Sequence, residues 1–191
     1  EQAQARYGER VRLIELSERS GKGGAVLAGW RASTADWLAF TDADNATMPE
    51  EFAKLLTALP AHGGAIASRW GADACVVEAR SWLRTTMSQV FRWWTQWLFD
   101  MPYPDTQCGA KVFTRATLAP VLERVHTQDM NMDIELLWRL HRGGADVVSV
   151  PIRWIDRPGS VSLGSRRQFL HSGVNMAWQL LALRWRLWRQ Q

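Results

Sequence analysis

The chain has 191 residues, of which 47% are hydrophobic, 22% charged and 10% aromatic; this balance suits one domain with its own buried core and excludes disordered and collagen-like classes. Twelve of the aromatic residues are Trp, and seven of these crowd into two segments: Trp82, Trp93, Trp94 and Trp97, then Trp178, Trp185 and Trp188. Charge is equally uneven, because residues 166–191 hold five Arg and no acid, which leaves the rest of a +4 chain at −1 and points to an anionic partner, a membrane surface or a nucleic acid.

EQAQARYGER reads as the end of a helix, and VRLIEL (residues 11–16) as a short β-rich run and a buried strand. SGKGGAVLAGWRAS is a glycine-opened turn leading into a helix, and DWLAFTDAD a strand that runs out into acids. PEEFAKLLTAL starts a helix with Pro at its first turn and acids at its N-terminal end, where the macrodipole favours them. AIASR is another short strand. SWLRTTMSQVFRWWTQWLFDM is a long helix, DTQCGAKVFTR a loop entering a strand, and TLAPVLERV and DIELLWRLHR are helices. DVVSVPIRW is the last strand, and its Pro151 implies an edge or a bulge. Strands alternating with helices predict an α/β layer architecture with a mostly parallel sheet, in which ligands sit beyond the carboxyl ends of strands.

TDAD lies at such an end. Asp42 and Asp44 can both turn toward one divalent cation, and hard cations such as Mg²⁺ accept such oxygens together with substrate phosphates. Acid-X-acid alone is more often a solvated loop; its place at a strand end, before a helix, tells against that. SGKGGA lacks the pattern of a nucleotide-triphosphate loop and the spacing of a dinucleotide fold, so tight-turn use of glycine stands beside phosphate binding. Cys75 and Cys108 make no disulfide framework, and the four His show no metal-ligand spacing.

Taken in order, residues 10–56 and then ASRW, LRTTMS, DTQCGAKVFTR, MDIELLW and VPIRWIDRPGS resemble family 2 glycosyltransferases of the polyprenyl-phosphate hexosyltransferase type. Those that use glucose are the nearer resemblance and the mannose synthases the next. The resemblance implies a GT-A, Rossmann-like fold and inverting hexose transfer from a nucleotide sugar, UDP-glucose or GDP-mannose, to a polyprenyl phosphate. It implies that Asp42 and Asp44 hold Mg²⁺ or Mn²⁺ on the donor diphosphate and that Lys22 lies near the donor. Asp105, Gln107 and Lys111 fall in the block that shapes the sugar and acceptor pocket. Arg69, Arg84 and Ser88 match residues facing the acceptor phosphate; Asp133 and Glu135 match an acidic pair near the reacting centre. Arg157 matches a loop arginine that reaches the donor phosphates. From the residues alone, Lys22 is equally a solvated loop lysine and Glu135 an ordinary helix acid.

Three departures stand out. Ala46 occupies a position where mannose synthases often carry Gln, and Val161 follows Ser160 where the loop usually has a cation. The first strand, with its Pro-Ala-Tyr-Asn-Glu-like loop, and the next strand's Asp-Asp-Gly-Ser loop have no counterpart. The chain is therefore expected to be N-terminally incomplete, with a catalytic domain at 1–165 and a basic amphipathic helix at 166–191. A non-catalytic membrane-surface relic of such an enzyme is the alternative.

In the first Trp segment Leu83, Met87, Val90, Trp94, Trp97 and Met101 form one helical stripe, while Phe91, Trp93 and Leu98 lie off it. Packing on the sheet explains one such face but not all of this apolar surface. Trp with Arg fits two helices, 81–101 and 166–191, lying in a headgroup layer; nucleic acid would need aromatic platforms along a basic groove and is not expected. The longest charge-free stretch near the end, QFLHSGVNMAWQLLAL, is 16 residues, short of the ~20 a spanning helix requires. The expectation is a peripheral protein on the cytoplasmic face of a membrane.

Overall fold

Four strands make the main sheet: β1 (Trp37–Thr41), β2 (Gly64–Ser68), β4 (Ala110–Thr114) and β5 (Val147–Pro151). The computed structural model describes residues 2–77, 82–155 and 166–190. The strand order is β1-β4-β2-β5, with β2 parallel to β5 and β4 antiparallel to both of its neighbours. Three strands thus share one direction, and the fourth is inserted among them in reverse. Helices pack on both faces, giving the α/β architecture the alternation predicts. A small parallel pair, β3 (Cys75–Val77) with β6 (Arg153–Ile155), lies beside the sheet. Pro151 falls at the last position of β5, an edge strand, where a missing N–H costs no ladder bond.

Side-chain alternation along the strands builds two cores. Ile66 of β2 and Phe113 of β4 face one, with Leu38, Trp30 and Leu137; Ala65, Ala67, Ala110 and Val112 face the other, with Leu55, Leu59 and Ile152. Helix α2 (Gly21–Ala32) covers the first core through Leu27 and Trp30, whose indole N–H donates to Ala39 O at 3.1 Å. Helix α3 (Pro49–Ala58) covers the second through Leu55; Pro49 opens it and Glu50 and Glu51 occupy its first turn. Helix α5 (Arg115–Leu122) is capped by Thr114, which accepts from Thr117 N at 3.2 Å.

Helix α6 (Met132–Arg142) is buried from Met132 through Leu140, and α7 (Arg166–Trp188) lies against the same core through Leu180, Leu183 and Leu187. Arg184 Nε of α7 donates to Leu98 O of α4 (Trp82–Phe99) at 2.9 Å. On α4 the inward residues are Phe91, Thr95, Leu98 and Phe99, while Val90 and Trp97 of the anticipated stripe are exposed. A helix with apolar residues on several faces does not itself declare which face is buried. Among the described residues no helix is long and apolar enough to cross a membrane.

The N-terminal segment departs from expectation. Helix α1 (Gln2–Tyr7) and a 3-10 turn at Gly8–Arg10 are followed by residues 11–16 in irregular conformation, with Leu13, Ile14 and Leu16 exposed. The composition of VRLIEL favours a strand, yet no described strand pairs with it, and a strand without a hydrogen-bonded neighbour has nothing to hold it in place.

Candidate active site

The reversed strand β4 creates the site. Its register pairs Phe40 with Lys111 and Thr41 with Ala110, so the residues leaving β1 lie beside those entering β4. Asp42 N continues the ladder by donating to Gly109 O at 2.7 Å. Across β4, the pairing of Ile66 with Lys111 brings the end of β2, and Arg69 after it, to the same edge. The loop at residues 105–109 is therefore shared between two strand ends.

Four charged groups alternate there. Lys22 Nζ lies 2.9 Å from Asp42 Oδ1 and 3.4 Å from Asp133 Oδ2, and Lys111 Nζ lies 2.9 Å from Asp133 Oδ1. The Lys111 contact is an ion pair without hydrogen-bond alignment; its ammonium donates to Cys108 O at 2.7 Å. Asp133 and Lys111 have side chains 1% and 0% exposed, whereas Lys22 and Asp42 reach the surface at 18% and 37%. Phe40 underlies both ammonium groups, 5.1 Å from Lys22 and 5.3 Å from Lys111, close enough for cation–π attraction. Burial works against the Lys22 charge, but Asp133 and Asp42 outweigh it and hold its pKa above the ordinary 10.5.

Two glycines make this approach possible. A methyl group on Gly109 would meet Asp42 Oδ2 at 1.8 Å, so only glycine lets the carboxylate settle there. On Gly23 it would meet Met132 Cβ at 2.6 Å, so the SGKGG run is a close-packing device that presses the start of α2 on the residues preceding α6. That packing carries Lys22 to Asp133.

Asp44 is exposed beyond Asp42, with Oδ1 accepting from Ala46 N at 3.0 Å, and Ala46 itself is buried in the second core. Among the described residues no group of three or more His, Cys, Asp or Glu side chains could hold a metal. Two carboxylates nevertheless fit Mg²⁺ or Mn²⁺ in a site whose remaining ligands are phosphate oxygens and water.

Arg69 and Asp105 form a bidentate pair at 2.7 and 2.9 Å, and Asp105 also accepts from the backbone N–H groups of Arg69, Gln107 and Cys108. Burial alone would raise the Asp105 pKa; Arg69, with a contribution from Lys111, reverses this and holds it below the ordinary 3.8. Asp105 thus shapes the 105–109 loop, and Arg69 also stacks on Trp154 at 5.5 Å. Gln107 Nε2 is buried without an acceptor among the described residues. Burial, then Asp105, pushes the Cys108 thiol up to about 12, which leaves it protonated and unreactive. Cys75 is free as well.

Glu135 does not join Asp133. Two residues on a helix are about 200° apart around its axis, so the two acids point to opposite sides of α6. Glu135 is fully buried, with Oε1 accepting from Arg139 at 2.8 and 3.0 Å and Oε2 from Thr127 N at 2.8 Å, the Thr127 hydroxyl, and Arg186 of α7 at 2.9 Å. Arg139 also donates to Gln190 at 2.6 Å. Glu135 therefore ties α6 to α7 and lies apart from the Lys22–Asp133 row. The pairing of Arg139 and Arg186 with Glu135 carries little sequence signal, since the i,i+4 spacing of Glu135 and Arg139 is common on helix surfaces and Arg186, one of the five arginines of the basic tail, lies 51 residues away. Ser88 is half-buried on α4. The side chain of Arg84, Arg157 and the Ser160–Val161 departure lie outside the described residues.

The family model described as glycosyl transferase family 2 matches residues 1–119. The chain belongs to that family. As a family 2 glycosyltransferase it is similar to the dolichyl-phosphate beta-glucosyltransferase of Drosophila melanogaster, 36% identical over 160 residues that make up 80% of this chain and 49% of that protein. The human protein of the same description is 29% identical over 163 residues, 81% of this chain and 50% of its own length. The polyprenol monophosphomannose synthase of Mycolicibacterium smegmatis is 30% identical over 164 residues, 81% of this chain and 60% of that protein. The chain spans about half the length of the curated glucosyltransferases it matches.

The buried tie at Glu135 gives a pH-dependent prediction. Burial would raise its pKa, but hydrogen bonds from Thr127 and Arg139, with Arg186, hold it below the ordinary 4.5. The unfolded chain then binds more protons, so the stabilisation is complete above about pH 4.5 and fades as the pH falls through the lowered folded value. Glu135→Gln should cost about 3 kcal/mol at pH 7, the low end for a broken buried pair, because Arg186 is partly exposed. Urea unfolding of wild type and variant should show this gap narrowing toward pH 3; a gap independent of pH contradicts an ionised Glu135.

Proposed function

We propose that this family 2 glycosyltransferase transfers a hexose, glucose in preference to mannose, from a nucleotide sugar to a polyprenyl phosphate at a membrane surface. The reading is supported by the relatives, which are named as glucosyltransferases or a mannose synthase acting on lipid phosphates. The observation that carries it is the Asp42–Lys22–Asp133–Lys111 array beside exposed Asp44 at the carboxyl end of β1. Carboxylates for a cation and an ammonium for phosphate oxygens are what a nucleotide diphosphate needs.

The chemistry requires no strong base. A phosphate monoester is ionised at neutral pH, and one of its oxygens bonds to the anomeric carbon as the bond from that carbon to the diphosphate breaks. The electron pair leaves with the nucleoside diphosphate, and inversion gives a β-linked lipid-phosphate hexose. Mg²⁺ or Mn²⁺, held by Asp42 and Asp44, would supply charge neutralisation on the diphosphate. Lys22 adds a second positive charge at the mouth, and Asp133, through Lys22 and Lys111, keeps that charge in position. Asp105 fixes the loop that presents Gln107, whose Nε2, without an acceptor among the described residues, suits a sugar hydroxyl. The protein's contribution is positioning and preorganised charge.

The lipid acceptor matches the outer faces of α4 and α7. Val90, Trp93 and Trp97 form one exposed row, with the two Trp 68% and 70% exposed, and Trp178, Leu181, Trp185 and Trp188 form another. Arg189 lies 3.7 Å over the Trp185 ring. Exposed Trp with Arg is the composition of a helix face seated among headgroups. We place the enzyme peripherally, on the cytoplasmic face.

Asp44→Asn should leave the circular dichroism spectrum unchanged and reduce transfer at least ~100-fold, in the range for loss of an electrostatic contact in a transition state; undiminished turnover would remove Asp44 from the site. Changing Trp185 and Trp188 together to Ser should weaken co-sedimentation with anionic liposomes. Unchanged binding would remove the outer face of α7 from the docking surface.

A further inference from the structure

Asp42 already has an ammonium group on the oxygen that faces the cluster. Its Oδ2 packs against Gly109, where even a methyl group would lie 1.8 Å away. Its Oδ1 faces the cluster with Lys22 Nζ at 2.9 Å. Asp133 is paired on its other side by Lys111, so two carboxylates and two ammonium groups balance with no ion bound. A divalent cation approaching this face of Asp42 therefore meets a positive charge on Oδ1.

Lys22 differs from Lys111 in being able to leave. The Lys111 side chain is completely buried and donates to Cys108 O, whereas Lys22 reaches solvent at the mouth. Lys22 also has two carboxylate partners, at 2.9 and 3.4 Å, so release of Asp42 need not strip it of all contact. Diphosphate oxygens would give its ammonium a new partner while adding negative charge to the site.

We propose that Lys22 is an internal counter-ion on Asp42 that yields this carboxylate to a divalent cation when a nucleoside diphosphate receives its ammonium. The lysine thereby links cation binding to donor binding. The inference rests on the reading that Asp42 and Asp44 hold the metal, and it adds that the lysine keeps the site closed to the bare ion. By thermodynamic reciprocity, whatever factor the diphosphate adds to cation affinity the cation adds to diphosphate affinity.

The test is Mn²⁺ binding to the full chain, followed by the loss of the free-ion electron paramagnetic resonance signal, with and without UDP. Wild type should bind Mn²⁺ weakly alone. Lys22→Met keeps the stem and removes the charge; without nucleotide it should bind Mn²⁺ about tenfold more tightly than wild type, within the usual range of coupling between sites. Lys22→Arg keeps the charge and should keep the weak binding. If Lys22→Met does not fold, as judged by circular dichroism, Lys22→Gln, which still donates to Asp42, carries the same comparison. Equal Mn²⁺ affinity of wild type and the uncharged variant without nucleotide overturns the exchange and leaves the donor reading standing. Failure of every form to bind Mn²⁺ with UDP present overturns both.

Discussion

Asp133 sits almost wholly out of water, with its side chain 1% exposed. Removing an ion from water costs several kcal/mol even after relaxation, so a carboxylate in this position needs partners. Its two oxygens are matched by two ammonium groups, Lys111 from β4 and Lys22 from α2. Lys111, also fully buried, has the same need in reverse. This mutual requirement fixes α6 against β4 and α2 against both, and Asp42 is drawn in as the outermost member. The charges that would be intolerable alone hold one another in place, in the row that the proposed function gives to a polyanionic substrate.

The sheet direction is what permits it. With β4 antiparallel between β1 and β2, the ends of two forward strands and the start of the reversed one meet at a single edge. A wholly parallel sheet would send the 105–109 loop to the opposite edge, and Lys111 could not reach Asp133 while Gly109 braced Asp42. The four strands of the main sheet were legible from short β-rich runs, as were α3, α4, α6 and the acids at the end of β1; β3 was not named, and β5 and β6 were read as one strand. The reversal of β4 was not, because strand direction depends on connections and partners and not on local composition. VRLIEL illustrates the same limit: its residues suit a strand, but pairing is a non-local condition that no described strand meets.

The site was readable as a set of residues and not as an arrangement. Lys22, Asp42, Lys111 and Asp133 were named, yet only the fold shows them as one alternating row. Asp133 and Glu135 stand together in the sequence and apart in space, since helix geometry sends them to opposite sides of α6. Gly109 and Phe40 carry no chemical signal of their own; they matter because a cross-strand register brings one against Asp42 and the other beneath two ammonium groups. Glu135 in turn joins α6 to α7, so the helix that carries Asp133 is also tied to the helix with exposed Trp178, Trp185 and Trp188. The proposed lipid-facing surface and the charged row are thereby connected through one buried helix.

The central claim is that this charged row serves a nucleotide sugar whose hexose passes to a lipid phosphate. It is tested most directly by incubating the protein with UDP-[¹⁴C]glucose or GDP-[¹⁴C]mannose, polyprenyl phosphate and Mg²⁺, and following label into organic solvent. The account predicts extractable label that requires the lipid phosphate, comes faster from UDP-glucose, and is released by mild acid as the free sugar. No lipid-dependent label from either donor would contradict it.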